Sequence, residues 1–313
     1  MTAVDWLLEG DPAIRWQVLR NIEGAPPGAV AAERARVATE GWGAALLSRQ
    51  SADGRWGGAT WNHGWDSTMH VLWLLAHLGL DPTSPAATSA VQRVCDHVTW
   101  RGCGPPECDD HPFFAGELEA CINGQVAMAG AYFGQDVSPV IARLLSEQLT
   151  DGGWNCDAPH ESTRSSFNTT ICVLEALLQY ERTDGRLNTK AARTLGQEYL
   201  LERRLGRRRS TGETIAADRK GGYDWRRFAF PGWWHYDVLR GLDYLVQAGA
   251  TPDTRVDEAV SHLASRRGGD GRWLMDASHA GTMPVDLGEP VGEPSRWNTL
   301  RALRVLRWYE RNR

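Results

Sequence analysis

Between Cys103 and Gln125 the chain reads CGPPECDDHPFFAGELEACINGQ, which gathers three of its six cysteines, the adjacent pair Asp109 and Asp110, His111 and three glutamates. Core packing does not call for so many ligating and titrating groups, and we read the stretch as the mouth of a site. Two chemistries suit it. The first is metal binding: Cys108 and His111 are close in sequence, Cys121 stands just ahead of a helical pattern, and Cys156 occupies the neighbouring repeat. Thiolates mixed with imidazole favour tetrahedral zinc, the expected cofactor, and Asp109 or Asp110 can replace one thiolate. The second is proton donation. Adjacent carboxylates in a dry cavity cannot all ionise, so one among Asp109, Asp110 and Glu117 is expected to keep its proton at a raised pKa and serve as a catalytic acid. The plainer alternative is an acidic loop that caps helix ends.

The elements that must position these groups repeat. Gln50-Ser-Ala-Asp-Gly-Arg-Trp56, Gln148-Leu-Thr-Asp-Gly-Gly-Trp154 and Arg267-Gly-Gly-Asp-Gly-Arg-Trp273 each follow a helical pattern, and each Asp-Gly pair supplies the turn that ends it. The apolar helices that follow align with three more copies: IRWQVLRNI (14–22), STMHVLWLL (67–75), INGQVAMAG (122–130), TTICVLEAL (169–177), WHYDVLRGL (234–242) and SRWNTLRAL (295–303). Helical spacing without β-branched alternation predicts an all-α array of six helical hairpins. Such hairpins can close into a ring and leave no open end to cap. The expectation is one domain over 1–313, with units near 1–41, 42–99, 100–139, 140–198, 199–255 and 256–313.

In a ring, the N-termini of the inner helices converge on one mouth, where free N–H groups favour anions and polar ligands. The shared register puts Arg15, Thr68, Asn123, Thr170, His235 and Arg296 at one position, and Gln17, His70, Gln125, Cys172, Asp237 and Asn298 at the next but one. Polar residues there are candidates for function or for bonds between neighbouring helix ends. We assign catalytic roles to His235 and Asp237, flanked by Trp233, Trp234 and Tyr236. Trp16, His70, Asn123, Trp233, Trp234, Tyr236, Arg296, Trp297 and Asn298 are the expected substrate-binding residues. Aromatic faces beside a cavity stabilise cations.

The Gln-x-x-Asp-Gly-x-Trp segments resemble the QW repeats of the superfamily that joins squalene and oxidosqualene cyclases to the β subunits of protein prenyltransferases. The resemblance extends from about Trp42 to Trp308. It implies an α/α toroid with a deep apolar central cavity, in which Trp56, Trp154 and Trp273 are structural. Prenyltransferase β subunits hold a catalytic zinc with Asp, Cys and His; the corresponding places here fall near Thr169 and Trp234, so none of those ligands carries over. Class II terpene cyclases carry Asp-x-Asp-Asp, whose middle aspartate protonates an alkene or epoxide, so the resemblance implies Asp109 as the donor. Glu107-Cys108-Asp109-Asp110 resembles that motif with glutamate first, although Pro112 follows at once and the inner helix starts later than in the family.

A net charge of -5 and a pI near 6 offer no concentrated basic face for nucleic acid. The basic run Arg203 to Arg209 is expected on a solvated outer turn. No stretch is apolar enough to span a membrane and no secretory leader is recognised, so a cytoplasmic location with reduced thiols is expected. His63, His97, His160, His262 and His279 are expected to be solvated, and Gly206 to Phe230 is long enough to act as a lid. The resemblance implies an isoprenoid-processing enzyme that cyclises or transfers an apolar chain. The alternatives are zinc-dependent thiol chemistry on a small molecule or peptide, and a non-catalytic lipid or peptide binder with structural zinc. A helical partner subunit or a homo-oligomer is the expected partner beyond the substrate.

Overall fold

In the structure, a computed structural model that describes residues 1–102, 106–157, 162–183, 185–215 and 224–312, the three Asp-Gly-x-Trp segments adopt one hydrogen-bond scheme. The buried indole N–H groups of Trp56, Trp154 and Trp273 donate to the carbonyls of Leu46, Leu144 and Leu263 at 2.7, 2.6 and 2.8 Å. Their backbone N–H groups donate to the hydroxyls of Thr68, Thr170 and Thr299 at 3.3, 3.0 and 3.0 Å. The last carbonyls of a helix lack partners within it, so each indole satisfies one while burying its ring. Gln50 and Gln148 repeat a second tie, each donating from its side-chain amide to the carbonyl four residues on and to a neighbouring helix, at Ala90 and Ala192. The turn needs glycine: Gly54 has φ +80°, and a Cβ there would stand 2.5 Å from the Arg93 carbonyl oxygen.

The helices are α1 (Ala3–Leu8), α2 (Pro12–Val18), α3 (Pro27–Ala35), α4 (Gly41–Leu47), α5 (Thr68–Leu78), α6 (Pro85–His97), α7 (Ala120–Tyr132), α8 (Ser138–Ser146), α9 (Phe167–Glu181), α10 (Lys190–Glu202), α11 (Val238–Gln247), α12 (Asp257–Ser265) and α13 (Arg296–Arg311). A two-residue antiparallel pair, β1 (Trp273–Leu274) with β2 (Pro294–Ser295), is a small addition to an all-α fold. The chain divides into two compact units, one of Arg34–Gly196 with Ala280–Asp286, the other of Met1–Glu33, Gln197–His279 and Leu287–Arg313.

In the first unit α7 packs against α5 and α9. Almost every residue of α7 from Ile122 to Ala131 is buried, the pattern of an inner helix, whereas α6 buries only Ala87, Ala90, Val91 and Val94 along one face. Gly124 sets the closeness of α7 to α9, since a Cβ there would lie 2.7 Å from the Cys172 carbonyl carbon. In the second unit α13 packs against α11, α12, α1 and α2. Buried charge crosses this unit: Arg304 holds Asp243 at 2.7 and 2.8 Å, and Arg301 stands 3.9 Å from Asp243 and 4.0 Å from Asp237.

Five of the six aligned frames lie on helix as expected, and the fifth is corrected. Helix α11 begins at Val238, so Trp234, His235 and Tyr236 precede it. Asp237 is its N-cap and accepts the Arg240 N–H at 2.7 Å, while Trp233 sits at φ +50°, a left-handed conformation incompatible with helix. The basic run is paired outward, Arg207 to Glu258 and Arg209 to Glu202, as a solvated turn requires.

Candidate functional site

The acidic pair of the first unit is exposed. Asp110, at φ +67°, pairs with the half-exposed to exposed guanidinium of Arg101 at 2.7 Å, and Asp109 accepts the Gly102 N–H. Both carboxylates are exposed, so the structure does not place Asp109 and Asp110 in the dry cavity expected of them. Burial selects Glu117 instead, and its carboxyl is pushed up, chiefly by desolvation. Asn123 clasps the same residue, accepting its N–H and donating to its carbonyl, both at 2.9 Å, which makes Asn123 a loop fastener.

The expected metal ligands separate into two groups. Cys108 is buried and His111 exposed, with the His111 N–H given to the Cys108 carbonyl, and neither joins the other thiols. Cys103 lies outside the described residues, as do His160 and part of the lid segment, 216–223. Cys121 and Cys156 come together with Glu119: one ligating atom from each lies within 4.8 Å of the others, the group among the described residues with spacing suited to a metal ion. The Cys121 N–H donates to Cys156 Sγ at 3.2 Å, and Cys121 Sγ faces Glu119 Oε2 at 3.7 Å. The hydrogen bond with Cys156, burial and the neighbouring Cys156, Cys172 and Glu119 push the Cys121 thiol well up.

Most of the expected rim residues are engaged in holding the fold. His70 meets Ser67 Oγ at 2.7 Å and stands edge-on to Trp65; burial takes its pKa down to about 3. Tyr236 donates to the Leu205 carbonyl, Asn298 donates to the carbonyls of Phe228 and Leu274, and Arg296 lies over the Trp6 ring. Trp16 is buried beneath Arg20, and the Trp233 carbonyl accepts from Arg240.

In the second unit, by contrast, ring faces collect ahead of α11 and α13. Half-buried Trp234 stacks on His235 at 3.7 Å, and His235 stacks on His279 at 3.6 Å with planes 7° apart. Burial lowers the pKa of His235 to about 2 and of His279 to about 4, so both rings stay neutral in ordinary buffers. Phe230 stacks on Trp297 at 4.0 Å. Glu289 caps the start of α13, accepting from Ser295 Oγ at 2.6 Å and from the N–H groups of Arg296 and Trp297. Burial nevertheless pushes its carboxyl up to about 6. Asp237 is also raised by burial, against the pull of Arg301 and two backbone N–H donors.

No protein-family model and no curated protein matches the chain. Similar solved structures include a variant of the type II terpene cyclase MstE from Scytonema in complex with geranylgeranyl dihydroxybenzoate, 15% identical, covering 99% of this chain and 96% of that one with a TM-score of 0.48. Apo MstE is 16% identical over 97% and 95% of the two chains, TM-score 0.46. The ent-copalyl diphosphate synthase from Streptomyces platensis is 15% identical over 94% of this chain and 50% of its own, TM-score 0.39. The described residues of this chain are mostly helical, as the all-α expectation requires. No described helix is long and apolar enough to cross a membrane.

Three site residues escape the sequence reading. His279 is stacked on His235 rather than solvated, Glu289 precedes the sixth frame, and Glu119 was passed over beside Cys121. Only Glu119 had a local signal, its place two residues from a cysteine at a helix start.

Proposed function

We propose that the protein is an isoprenoid-processing enzyme of terpene cyclase type, in which Glu289 donates a proton to an alkene or epoxide of an apolar chain and the outer faces of the Trp234–His235–His279 stack, those of Trp234 and His279, stabilise the cation that forms. The observation that carries this reading is the Glu289 carboxyl, held up to about 6 at a helix start beside the Trp297–Phe230 stack. Burial raises the share of the carboxyl that carries a proton, a share that grows as pH falls towards 6. The same Ser295 hydroxyl and backbone N–H donors, aided by the helix dipole, stabilise the carboxylate left after transfer. The proton bonds to one alkene carbon and the positive charge appears on the other, where neutral imidazole and indole faces attract it and a charged imidazolium would repel it. The QW-like repeats support the choice of an isoprenoid over other apolar chains.

The test is incubation of the purified chain with farnesyl diphosphate, geranylgeranyl diphosphate, squalene and 2,3-oxidosqualene, followed by mass spectrometry of extracted products. A cyclised isomer from at least one substrate is expected, and its yield should fall about 100-fold or more in Glu289→Gln, the usual worth of a positioned general acid. No product from any of the four, or full turnover by a folded Glu289→Gln, would refute the assignment. Prenyl transfer is the second reading, favoured by the thiol pair of the first unit.

A further inference from the structure

We propose that Glu119, Cys121 and Cys156 form a binding site for a single thiophilic divalent cation such as zinc, with one coordination position left for a water or a ligand thiol. The proposal does not depend on the cyclase reading, because the three donors lie together in the Arg34–Gly196 unit and share no residue with the Glu289 site.

Geometry comes first. Two sulfurs bound to zinc at about 2.3 Å in a tetrahedron stand about 3.8 Å apart, so donors already within 4.8 Å of one another need to move by roughly 1 Å at most. The donors come from three backbone positions that the fold holds in place. Glu119 is the N-cap residue of α7, Cys121 lies in the first turn of that helix, and Cys156 follows the Trp154 turn, whose indole is fastened to Leu144. Cys156 Sγ also meets Thr169 Oγ1 at 3.4 Å at the start of α9, so both helices contribute to its position. The backbone approach of Gly124 to Cys172 fixes the spacing of those helices.

Chemistry comes second. Two sulfurs and one carboxylate form a mixed soft and hard donor set that suits zinc, and magnesium or calcium would seek oxygen donors instead. Binding replaces two S–H bonds by two metal–sulfur bonds and releases both protons to solvent. Three protein ligands are the number found in zinc sites with an open position, whereas a purely structural site uses four. One turn below Cys121, the buried Gln125 donates weakly to the Cys121 carbonyl at 3.4 Å, and its Oε1 has no hydrogen-bond partner.

The experiment uses the full chain, purified with reductant and stripped by chelator, then titrated with cobalt(II) as a spectroscopic zinc substitute and with zinc in competition. One metal per chain is expected, with a thiolate-to-cobalt charge-transfer band and tetrahedral visible absorption that zinc abolishes. Cys121→Ser and Cys156→Ser should each weaken binding about 100-fold or more, Glu119→Gln about 10-fold or more, and Cys95→Ser and Cys108→Ser not at all. Circular dichroism checks that each variant is folded. A small thiol should shift the cobalt spectrum by filling the open position. The proposal is overturned if cobalt gives no charge-transfer band, if the band survives in the Cys121→Ser, Cys156→Ser double variant, or if the reduced, folded protein takes metal no more tightly than that double variant. Loss of both thiols to a Cys121–Cys156 disulfide in freshly reduced protein also overturns it.

Discussion

The starts of α9 and α11 occupy equivalent places in the repeat and are built in opposite ways. Ahead of α9, Trp154 binds Leu144 through its indole and Thr170 through its backbone, while the Ser166 N–H returns to the Trp154 carbonyl at 2.8 Å. These three bonds serve the joint between two helices. Ahead of α11 the motif is missing, Trp233 takes a left-handed conformation, and Trp234 and His235 present stacked, half-buried faces. The same position in the fold holds an indole-to-carbonyl joint in one copy and a stack of aromatic rings in another.

The largest effect should come from breaking the first joint. Trp154→Ala removes a fully buried indole and leaves the Leu144 carbonyl without its donor, so a loss of about 3–5 kcal/mol is expected in denaturant unfolding. Trp234→Ala at the α11 start should cost about 1 kcal/mol or less in the same assay, because its ring is only half buried. In product assays the order should reverse, with Trp234→Ala lowering turnover of the cyclisation by about 5- to 30-fold through loss of one cation-facing ring. Equal stability losses at the two sites would erase the contrast.

Acid should separate the two kinds of site further. Burial depresses the pKa of His235 to about 2, of His279 to about 4 and of His70 to about 3, all below the ordinary 6.5. The unfolded chain therefore takes up protons near pH 6.5 that the folded chain refuses. Their stability contribution is complete above that pH and is lost as pH falls below it, by up to about 1.4 kcal/mol per pH unit for each ring. Glu289 works the other way. Its folded pKa near 6 exceeds the usual 4.5, so its contribution is present below about 4.5 and lost as pH rises through 6. Glu117 and Asp237, also raised by burial, act in the same sense as Glu289; with the three imidazoles dominant, urea unfolding should show lower stability at pH 5 than at pH 7.5, with a shallower slope in His279→Asn. Cyclisation that depends on protonated Glu289 should instead decline as pH rises through about 6. A protein more stable at pH 5 than at 7.5 would contradict the neutral stack.

Much of the fold was legible because its signals are local. An Asp-Gly turn followed by tryptophan, and apolar residues at helical spacing, fix helix ends without reference to distant contacts, and the three indole-to-carbonyl ties follow that register. The fifth frame misled because WHYDVLRGL has helical apolar spacing throughout; only the Asp237 cap and the Trp233 backbone, which depend on the folded 228–237 loop, place the start at Val238. The site was less legible still. Cys121 and Cys156 are brought together as expected, yet Cys108 and His111 are not, since nearness in sequence gave them opposite exposures. Glu289 and His279 owe their character to packing against Trp297 and His235, and no pattern around either residue announces it.

The smallest predicted effect distinguishes motif from environment. Glu107-Cys108-Asp109-Asp110 resembles an acid-initiation motif, but its two aspartates are exposed, whereas proton transfer to an alkene needs a site that excludes water. Asp109 accepts one backbone N–H at the surface and Asp110 is paired with Arg101, an exposed ion pair worth about 1 kcal/mol or less. Asp109→Asn and Asp110→Asn should therefore leave turnover within about twofold of the parent and stability within about 0.5 kcal/mol, while Glu289→Gln removes activity. If Asp109→Asn abolished cyclisation in a folded protein, the motif would outrank the environment. The proton donor would then have to be sought in the first unit, where Glu117 is the buried carboxyl nearest in sequence.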